Sequence, residues 1–477
     1  MAIEINKEET DTLDETYREF KNVQIINKDF FDVYSSMGQE EKYDLILGNP
    51  PYIRYQYLTE KQRQIQAEIL SSHGMKPNKL INAWVAFLVA SIQLLSETGT
   101  IAFVIPAEIL QVAYAEELRL FLSTHLSKIT LITFEDLVFD SIEQEVLVFI
   151  GEKGGGSSGI RIIERKNLDD LSMIDFSQEP FQPLHKVKEK WTKYFVNQNE
   201  MNLINEIRND SRFVRFSSLG IINVGITTGN NKYFSITDEE AQIYDLQNVT
   251  LPLIGRSSHS HGIYFTHEDW KRNLKEGKRA RLISFPDIPY EQYPEKHKEY
   301  IKKGEENKEN QGYKCRIRDR WYIVPSVWVP DAFFLRRNNL YPKFVLNKCQ
   351  AVSTDTMHRI KFNDGINGED ILLSYYNSIS FAFTEICGRS YGGGVLEILP
   401  GELGNVILPR IHNVDSLAKE RMLNFIDRSI RSESNIEIVL DYIDKKLLVE
   451  SLGLPLQWCK QCRTIWKKLQ KRRLGRG

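Results

Sequence analysis

The stretch Tyr43-Asp44-Leu45-Ile46-Leu47-Gly48-Asn49-Pro50-Pro51-Tyr52 constrains the fold more than any other, because an apolar strand runs directly into an Asn-Pro-Pro-aromatic corner. Proline lacks a backbone N–H and disfavours helical geometry in the residue before it, so Asn49 and Pro50 are both held extended. The corner is therefore stiff at the end of its strand. Ligands of open α/β sheets bind outside the carboxyl ends of the strands, which predicts a crevice here with acceptors facing outward. The corner offers the Asn49 side-chain oxygen, the Pro50 carbonyl and the flat ring of Tyr52.

Those groups suit methylation of an exocyclic amino group on a flat base. The amino nitrogen is a poor nucleophile because its lone pair is delocalised into the ring. Two acceptors holding its N–H bonds would draw it towards tetrahedral geometry, while Tyr52 stacks on the ring. The plainer alternative is a Pro-Pro turn beside a buried tyrosine, since short motifs recur by chance.

Upstream, Ala2-Ile3-Glu4-Ile5-Asn6 reads as a short strand, followed by a polar helix from about Lys7 to Phe20 and a second strand, Val23 to Asn27. Strands alternating with helices at this spacing imply parallel βαβ units and a doubly wound sheet. An acid at such a strand end commonly holds ribose hydroxyls, a role open to Glu4. Asp29 is then placed to accept from an adenine amino group, with Phe30 beside the ring. Downstream, a helix is expected from about Ile81 to Ser96, stopped by Gly99, then a central strand from Thr100 to Pro106. A helix from about Tyr114 to His125 and strands at Ile129–Phe134 and Glu145–Ile150 follow. The glycine-rich run 151–159 reads as a loop or the edge of a linker.

The order of Ile3-Glu4-Ile5, Asp29-Phe30, Asp44 to Tyr52, Ala86-Phe87-Leu88, Phe103-Val104-Ile105-Pro106 and Val138-Phe139 resembles the gamma-class adenine-N6 DNA methyltransferases, the TaqI-like methylases of type II and IIG restriction-modification systems. The resemblance implies S-adenosylmethionine as cofactor, with Glu4 at its ribose and Asp29, Phe30 and Phe87 at its adenine. It implies that Asn49, Pro50, Pro51 and Tyr52 receive an adenine flipped out of double-stranded DNA, because the amino group is unreachable inside the duplex. Phe139 would close the far face of the base stack. The family also places a strand and a glycine-containing loop before the Glu4 strand, and this chain has neither. The expectation is an incomplete doubly wound, Rossmann-like α/β sheet, with a second polypeptide supplying the first strand and its loop.

From about Lys186 the pattern changes. Alternating β-branched residues broken by Gly and Asn between Phe216 and Phe234 suggest hairpins, and strand-rich material returns at 252–257 and at 321–328. This half resembles the family's target-recognition domain. Arg316, Arg318 and Arg320 stand among aromatics, suited to phosphate and guanine-edge contacts. The alternative for this Lys- and Arg-rich stretch is a solvated loop, since acids are interleaved. Helical spacing resumes near residue 413 and ends in a basic run after Trp458, read as a phosphate-following or solubilising tail. The expected organisation is a catalytic domain at 1–152, a linker at 153–190, a mixed, strand-rich target-recognition domain at 191–412 and a helical C-terminal segment at 413–477.

The net charge of -2 gives no global sign of nucleic-acid binding, so any basic surface is local. Without a signal peptide or bilayer-length apolar run, and with five scattered cysteines, the chain reads as cytoplasmic with reduced thiols. Cys459 and Cys462 form a CxxC with no partner pair at zinc spacing, and His259 and His261 flank a serine without carboxylates in sequence reach, so no metal is expected. Two rival functions stand beside this reading. One is methylation of another planar amine or amide, and the other is a non-catalytic DNA-binding specificity module derived from such an enzyme.

Overall fold

A computed structural model describes residues 1–37, 41–78, 81–110, 115–134, 138, 145–155, 158–184, 191, 195–412 and 414–475. They divide into two compact units, Met1–Val196 and Asn197–Gly475.

In the first unit, β1 (Ala2–Glu4) and β2 (Ile25–Asn27) pair in parallel, with α1 (Lys7–Thr16) crossing between them. Asn27 ties the ends of this pair together. Its Nδ2 donates to the carbonyls of Glu4 and Ile5, each at 3.1 Å, and to Thr10 Oγ1 at 2.9 Å. After α2 (Phe30–Ser36) come β3 (Tyr43–Gly48), α3 (Glu60–Ser72), α4 (Ala83–Gln93) and β4 (Leu95–Pro106). Then follow α5 (Glu116–His125), β5 (Lys128–Phe134), β6 (Val146–Glu152), β7 (Gly159–Arg165) and the two-residue β8 (Gln182–Pro183).

These strands form one sheet in the order β3-β4-β6-β5-β7-β8. β3 runs parallel to β4 and β5 parallel to β7, while β6 is antiparallel between β4 and β5. α4 is apolar on all sides, with Trp84, Val85, Ala86, Leu88 and Val89 all at 2% exposure or less, as befits a helix buried across the sheet.

β1 bonds to β2 alone and β3 to β4 alone, so each presents an unpaired edge among the described residues. β3 has the composition of a strand covered on both faces, yet Leu45 and Leu47 are 58% and 67% exposed. The strands expected in one sheet therefore fall in two pieces, and residues of both β1 and β3 line one cavity.

Three boundaries differ from expectation. The helix expected to reach Ser96 ends at Gln93, and Gly99 lies inside β4 rather than at a helix stop. There the strand approaches β3 so closely that a Cβ on residue 99 would sit 2.9 Å from the Tyr43 carbonyl, beside a register shift between Tyr43 and Leu45. The stretch 153–190, expected as a linker, carries β7, seven residues in register with β5, because Ile160 and Ile163 bury there at 0% and 1% exposure.

The second unit opens with a helix at Gln198–Asn209, started by a reciprocal capping box between Asn197 and Glu200. Its largest sheet orders the strands Gly220–Val224, Met357–Phe362, Ala332–Leu335, Phe344–Asn347 and Tyr264–Phe265. A second sheet joins Ser235–Ile236, Arg281–Ile283, Thr250–Ile254 and Val352–Ser353. The segment expected to form local hairpins instead pairs over long range, Gly220–Val224 lying antiparallel to Met357–Phe362. Residues 321–328, expected as strand, are turns and irregular chain.

The C-terminal segment is not a separate tail. Its last helix, Leu456–Leu474, packs on the buried helix Ser378–Cys387. Arg473 and Glu385, each 2% exposed at the side chain, pair there at 2.9 Å. Cys459 and Cys462 are buried, unpaired thiols on the same helix, and burial pushes the Cys459 thiol up to about 12. No helix among the described residues is long and apolar enough to cross a membrane.

Candidate active site

Three consecutive strand ends converge on a cavity of about 560 Å³, within the size range of small-molecule and cofactor sites. β1 delivers Glu4, which lines the cavity and whose Oε1 accepts from the Asn6 backbone N–H at 2.7 Å. β2 delivers Asp29, the N-cap of α2, whose Oδ1 accepts from the Phe31 N–H at 2.8 Å. Capping residues of this type satisfy a helix-start donor that has no helical partner, which fixes the carboxylate. Phe30 follows it and lies flat on Phe87 of α4, ring centroids 4.6 Å apart at 19°. That spacing leaves no room for a third ring between the two, and with Tyr34 stacked beside Phe30 at 6.1 Å and Phe31 against Phe87 at 4.7 Å, a planar ligand has only the part of the pair these rings leave uncovered to lie against.

β3 delivers the fourth component. Its last residue is Gly48, where an added Cβ would sit 2.9 Å from the Phe103 ring, so the strand crosses that ring only because a hydrogen stands there. Beyond it Asn49 and Pro51 are exposed and Pro50 is buried. Ala83 N–H donates to the Ile53 carbonyl at 2.9 Å, fastening the far side of the corner to the start of α4. The Tyr52 hydroxyl lies 3.0 Å from the Val104 carbonyl and 3.2 Å from Asn49 Oδ1, its single proton shared between the two acceptors with Val104 the nearer. Burial pushes this phenol up to about 12, so it stays protonated and keeps donating near neutral pH.

Glu4, Asp29, Phe30, Phe87, Asn49, Pro50 and Pro51 thus share one cavity. Tyr52 does not line it, because its hydroxyl is drawn back onto β4. Phe139 lies outside the described residues; its neighbour Val138 packs against Ile132, Phe134 and Ile163. A contributor absent from the sequence reading is Gln62, on the first turn of α3, which donates from Nε2 to Asp29 Oδ2 at 2.7 Å. The signal for it was present as Thr59-x-x-Gln62, a capping-box spacing that announces a fixed side chain at a helix start.

In the second unit the three arginines separate. Arg316 is exposed. Arg318 is half-buried and donates to the Thr227 carbonyl at 3.1 Å and the Trp321 carbonyl at 3.3 Å, with burial lowering its pKa. Arg320 pairs with Asp287 at 3.0 Å and donates to the Ile288 carbonyl. Two of the three guanidinium groups therefore brace loops of their own unit. His259 accepts from the Gly255 N–H at 3.2 Å, a loop-holding contact, and among the described residues no group of three His, Cys, Asp or Glu side chains could hold a metal ion.

Residues 2–139 match the family described as Eco57I restriction-modification methylase, and residues 188–448 match the C-terminal domain of type II methyltransferase M.Eco57I. The type II methyltransferase M.AccI of Acinetobacter calcoaceticus is 25% identical, over 94% of this chain and 83% of that protein. M.HindII of Haemophilus influenzae is 27% identical over 56% of this chain and 54% of its own length. Among solved structures, the type IIL restriction-modification enzyme MmeI, determined in complex with DNA, aligns over 96% of this chain and 62% of that chain. Its TM-score is 0.53 at 13% identity, a likeness of fold. The chain thus spans less than two thirds of the length of both M.HindII and the MmeI chain.

Proposed function

Because the chain belongs to the Eco57I-type methyltransferases of type II restriction-modification systems, we propose that it methylates the N6 amino group of an adenine flipped out of double-stranded DNA. The methyl donor in this reading is S-adenosylmethionine, and the reaction takes place in the cytoplasm. The observation that carries the reading is that Asn49, Pro50 and Pro51, at the end of β3, open on the same cavity as Glu4 and Asp29, with Tyr52 next to them just outside it.

Asn49 Oδ1 and the Pro50 carbonyl accept the two N–H bonds of the target amino group. A carboxamide oxygen has two lone pairs, so Asn49 can hold the Tyr52 hydroxyl and an amino N–H together. Withdrawing both N–H bonds from the plane of the base restores the nitrogen lone pair. The ring of Tyr52 stacks on the base, and Phe139 closes the opposite face. Tyr52 is not the base in this scheme, since its hydroxyl remains protonated; the amino proton leaves to solvent after the nitrogen has gained its fourth bond.

The residues of the cavity fit the cofactor. Glu4 would hold the ribose hydroxyls, Asp29 the adenine amino group, and the uncovered part of the Phe30–Phe87 pair the adenine ring. When bound, S-adenosylmethionine supplies an electrophilic methyl group on a sulfonium. The reading includes a second polypeptide that pairs with the free edges of β1 and β3 and brings a glycine loop for the methionine part. The supporting observation is that Leu45 and Leu47 stand exposed along the β3 edge, and covering each would stabilise by roughly 1.5–3 kcal/mol. The second unit is assigned to reading bases around the target, with Arg316 as a phosphate or base contact.

The test is transfer of labelled methyl from S-adenosylmethionine to DNA, by this chain alone and with the product of the adjoining upstream reading frame. Transfer by the pair that disappears with Asn49→Ala supports the proposal. DNA binding without transfer in either mixture would favour the non-catalytic specificity module.

A further inference from the structure

We propose that Gln62 is a positioning residue that sets the direction in which Asp29 offers its lone pairs, and so fixes the preference of the cavity for an adenine over other purines. The inference rests on the reading of Asp29 as the acceptor for the cofactor's adenine amino group.

Gln62 is held at both ends of its amide. Its Oε1 accepts from the Thr59 N–H at 3.0 Å and from Thr59 Oγ1 at 3.1 Å, and the Gln62 N–H donates back to Thr59 Oγ1 at 3.2 Å. With the oxygen committed to the cap, the amide can present only its nitrogen outward, and Nε2 donates to Asp29 Oδ2 at 2.7 Å. The other carboxylate oxygen of Asp29 is taken on one side by the Phe31 N–H at 2.8 Å. Each oxygen has thus one donor fixed by the protein and capacity for another, so the carboxylate cannot turn and its remaining acceptor positions face the cavity that both side chains line.

Gln62 also connects two parts of the site. It lies on the first turn of α3, and the next residue, Arg63, donates to the carbonyls of Tyr55 and Gln56 at 3.1 and 2.9 Å, just beyond the Asn49–Tyr52 corner. A second bridge, Lys61 to Asp32 at 2.7 Å, holds the same turn of α3 against α2. The helix that follows the target-base corner therefore aims the acid at the neighbouring strand end.

Two variants separate aiming Asp29 from capping α3. Gln62→Glu keeps a capping-box acceptor for Thr59 but turns the donor facing Asp29 into an acceptor. Gln62→Met removes both functions while keeping the length of the side chain. The probes are S-adenosylhomocysteine and S-inosylhomocysteine, which differ in a 6-amino against a 6-oxo group, titrated calorimetrically into the full chain, alone and with the proposed second polypeptide. The wild type is expected to prefer the adenine nucleoside about tenfold or more, the scale of a hydrogen bond to a charged acceptor. Both variants are expected to shrink that ratio below about threefold. A wild-type ratio retained in both variants would overturn the role of Gln62 and leave the cofactor reading standing. A wild type that binds neither nucleoside, or both equally, would overturn the reading of Asp29 and the inference with it.

Discussion

Arg473→Met removes the cationic partner of a carboxylate that has no access to water. Glu385 and Arg473 are each 2% exposed at the side chain, joined by Nε to both carboxylate oxygens at 3.1 Å and by a terminal nitrogen to Oε1 at 2.9 Å. Arg473 also donates to the Gly394 carbonyl. Deleting one partner of a buried pair leaves an uncompensated charge and costs about 3–5 kcal/mol, a large share of the stability of an ordinary domain. Replacing both partners by apolar residues, as in Glu385→Leu with Arg473→Met, is expected to recover most of that loss. Burial already holds the Glu385 carboxyl above its ordinary range, and loss of Arg473 raises it further. A group with a raised folded pKa contributes stability that is complete below its unfolded pKa and lost as pH rises, so the deficit is predicted to be larger at pH 8 than at pH 5. Urea unfolding followed by tryptophan fluorescence includes the signal of this helix, whose buried Trp458 and Trp466 are two of the seven tryptophans of the chain. A loss below about 1 kcal/mol for the single variant at pH 8 would refute the placement of the C-terminal helix in the core of the second unit.

Burial lowers His259 from 6.5 to about 4, and such a depressed group stabilises above its unfolded pKa and loses that contribution as pH falls. Between pH 6.5 and 4.5 the wild type should therefore lose about 2–3 kcal/mol more than His259→Gln in urea unfolding. Gly225→Ala places a Cβ 1.9 Å from the Thr354 carbonyl and 2.6 Å from that of Met357, both backbone, and is expected to cost about 3 kcal/mol or abolish soluble expression. Gly155→Ala, which meets nothing within 4 Å, should leave the melting temperature unchanged. Tyr52→Phe loses the bonds to Val104 and Asn49 but keeps the ring, so about 1 kcal/mol of stability should go with only a mild effect on transfer. Tyr52→Ala should weaken transfer by roughly 5- to 150-fold, the range of one base–aromatic stack, measured as kcat/KM on duplex DNA.

The meeting of the strand-end residues in the first unit was legible because its signals are local. A stiff Asn-Pro-Pro corner and acids at strand ends declare themselves within a few residues, and Glu4, Asp29, Phe30, Phe87 and Asn49 do meet in one cavity. What the pattern could not supply is where a side chain's bonds go once the fold has closed. Arg318 and Arg320 look alike in sequence to a DNA-contacting residue, yet distant carbonyls at Thr227 and Ile288 claim them. The stretch 153–190, opening on the glycine run, reads as a linker because flexibility is a local inference, whereas the pairing of β7 with β5 depends on a partner some thirty residues away. The basic C-terminal end has the composition of a tail for the same reason. Nothing near Arg473 in sequence reveals that Glu385 waits for it in the core.

The most direct test of the account is the identity of the methylated nucleoside. DNA treated with S-adenosylmethionine and the complete enzyme, digested to nucleosides and resolved by mass spectrometry, is predicted to contain N6-methyldeoxyadenosine and to contain none when the chain carries Asn49→Ala. Methyl groups on cytosine instead, or N6-methyldeoxyadenosine undiminished in the variant, would contradict it.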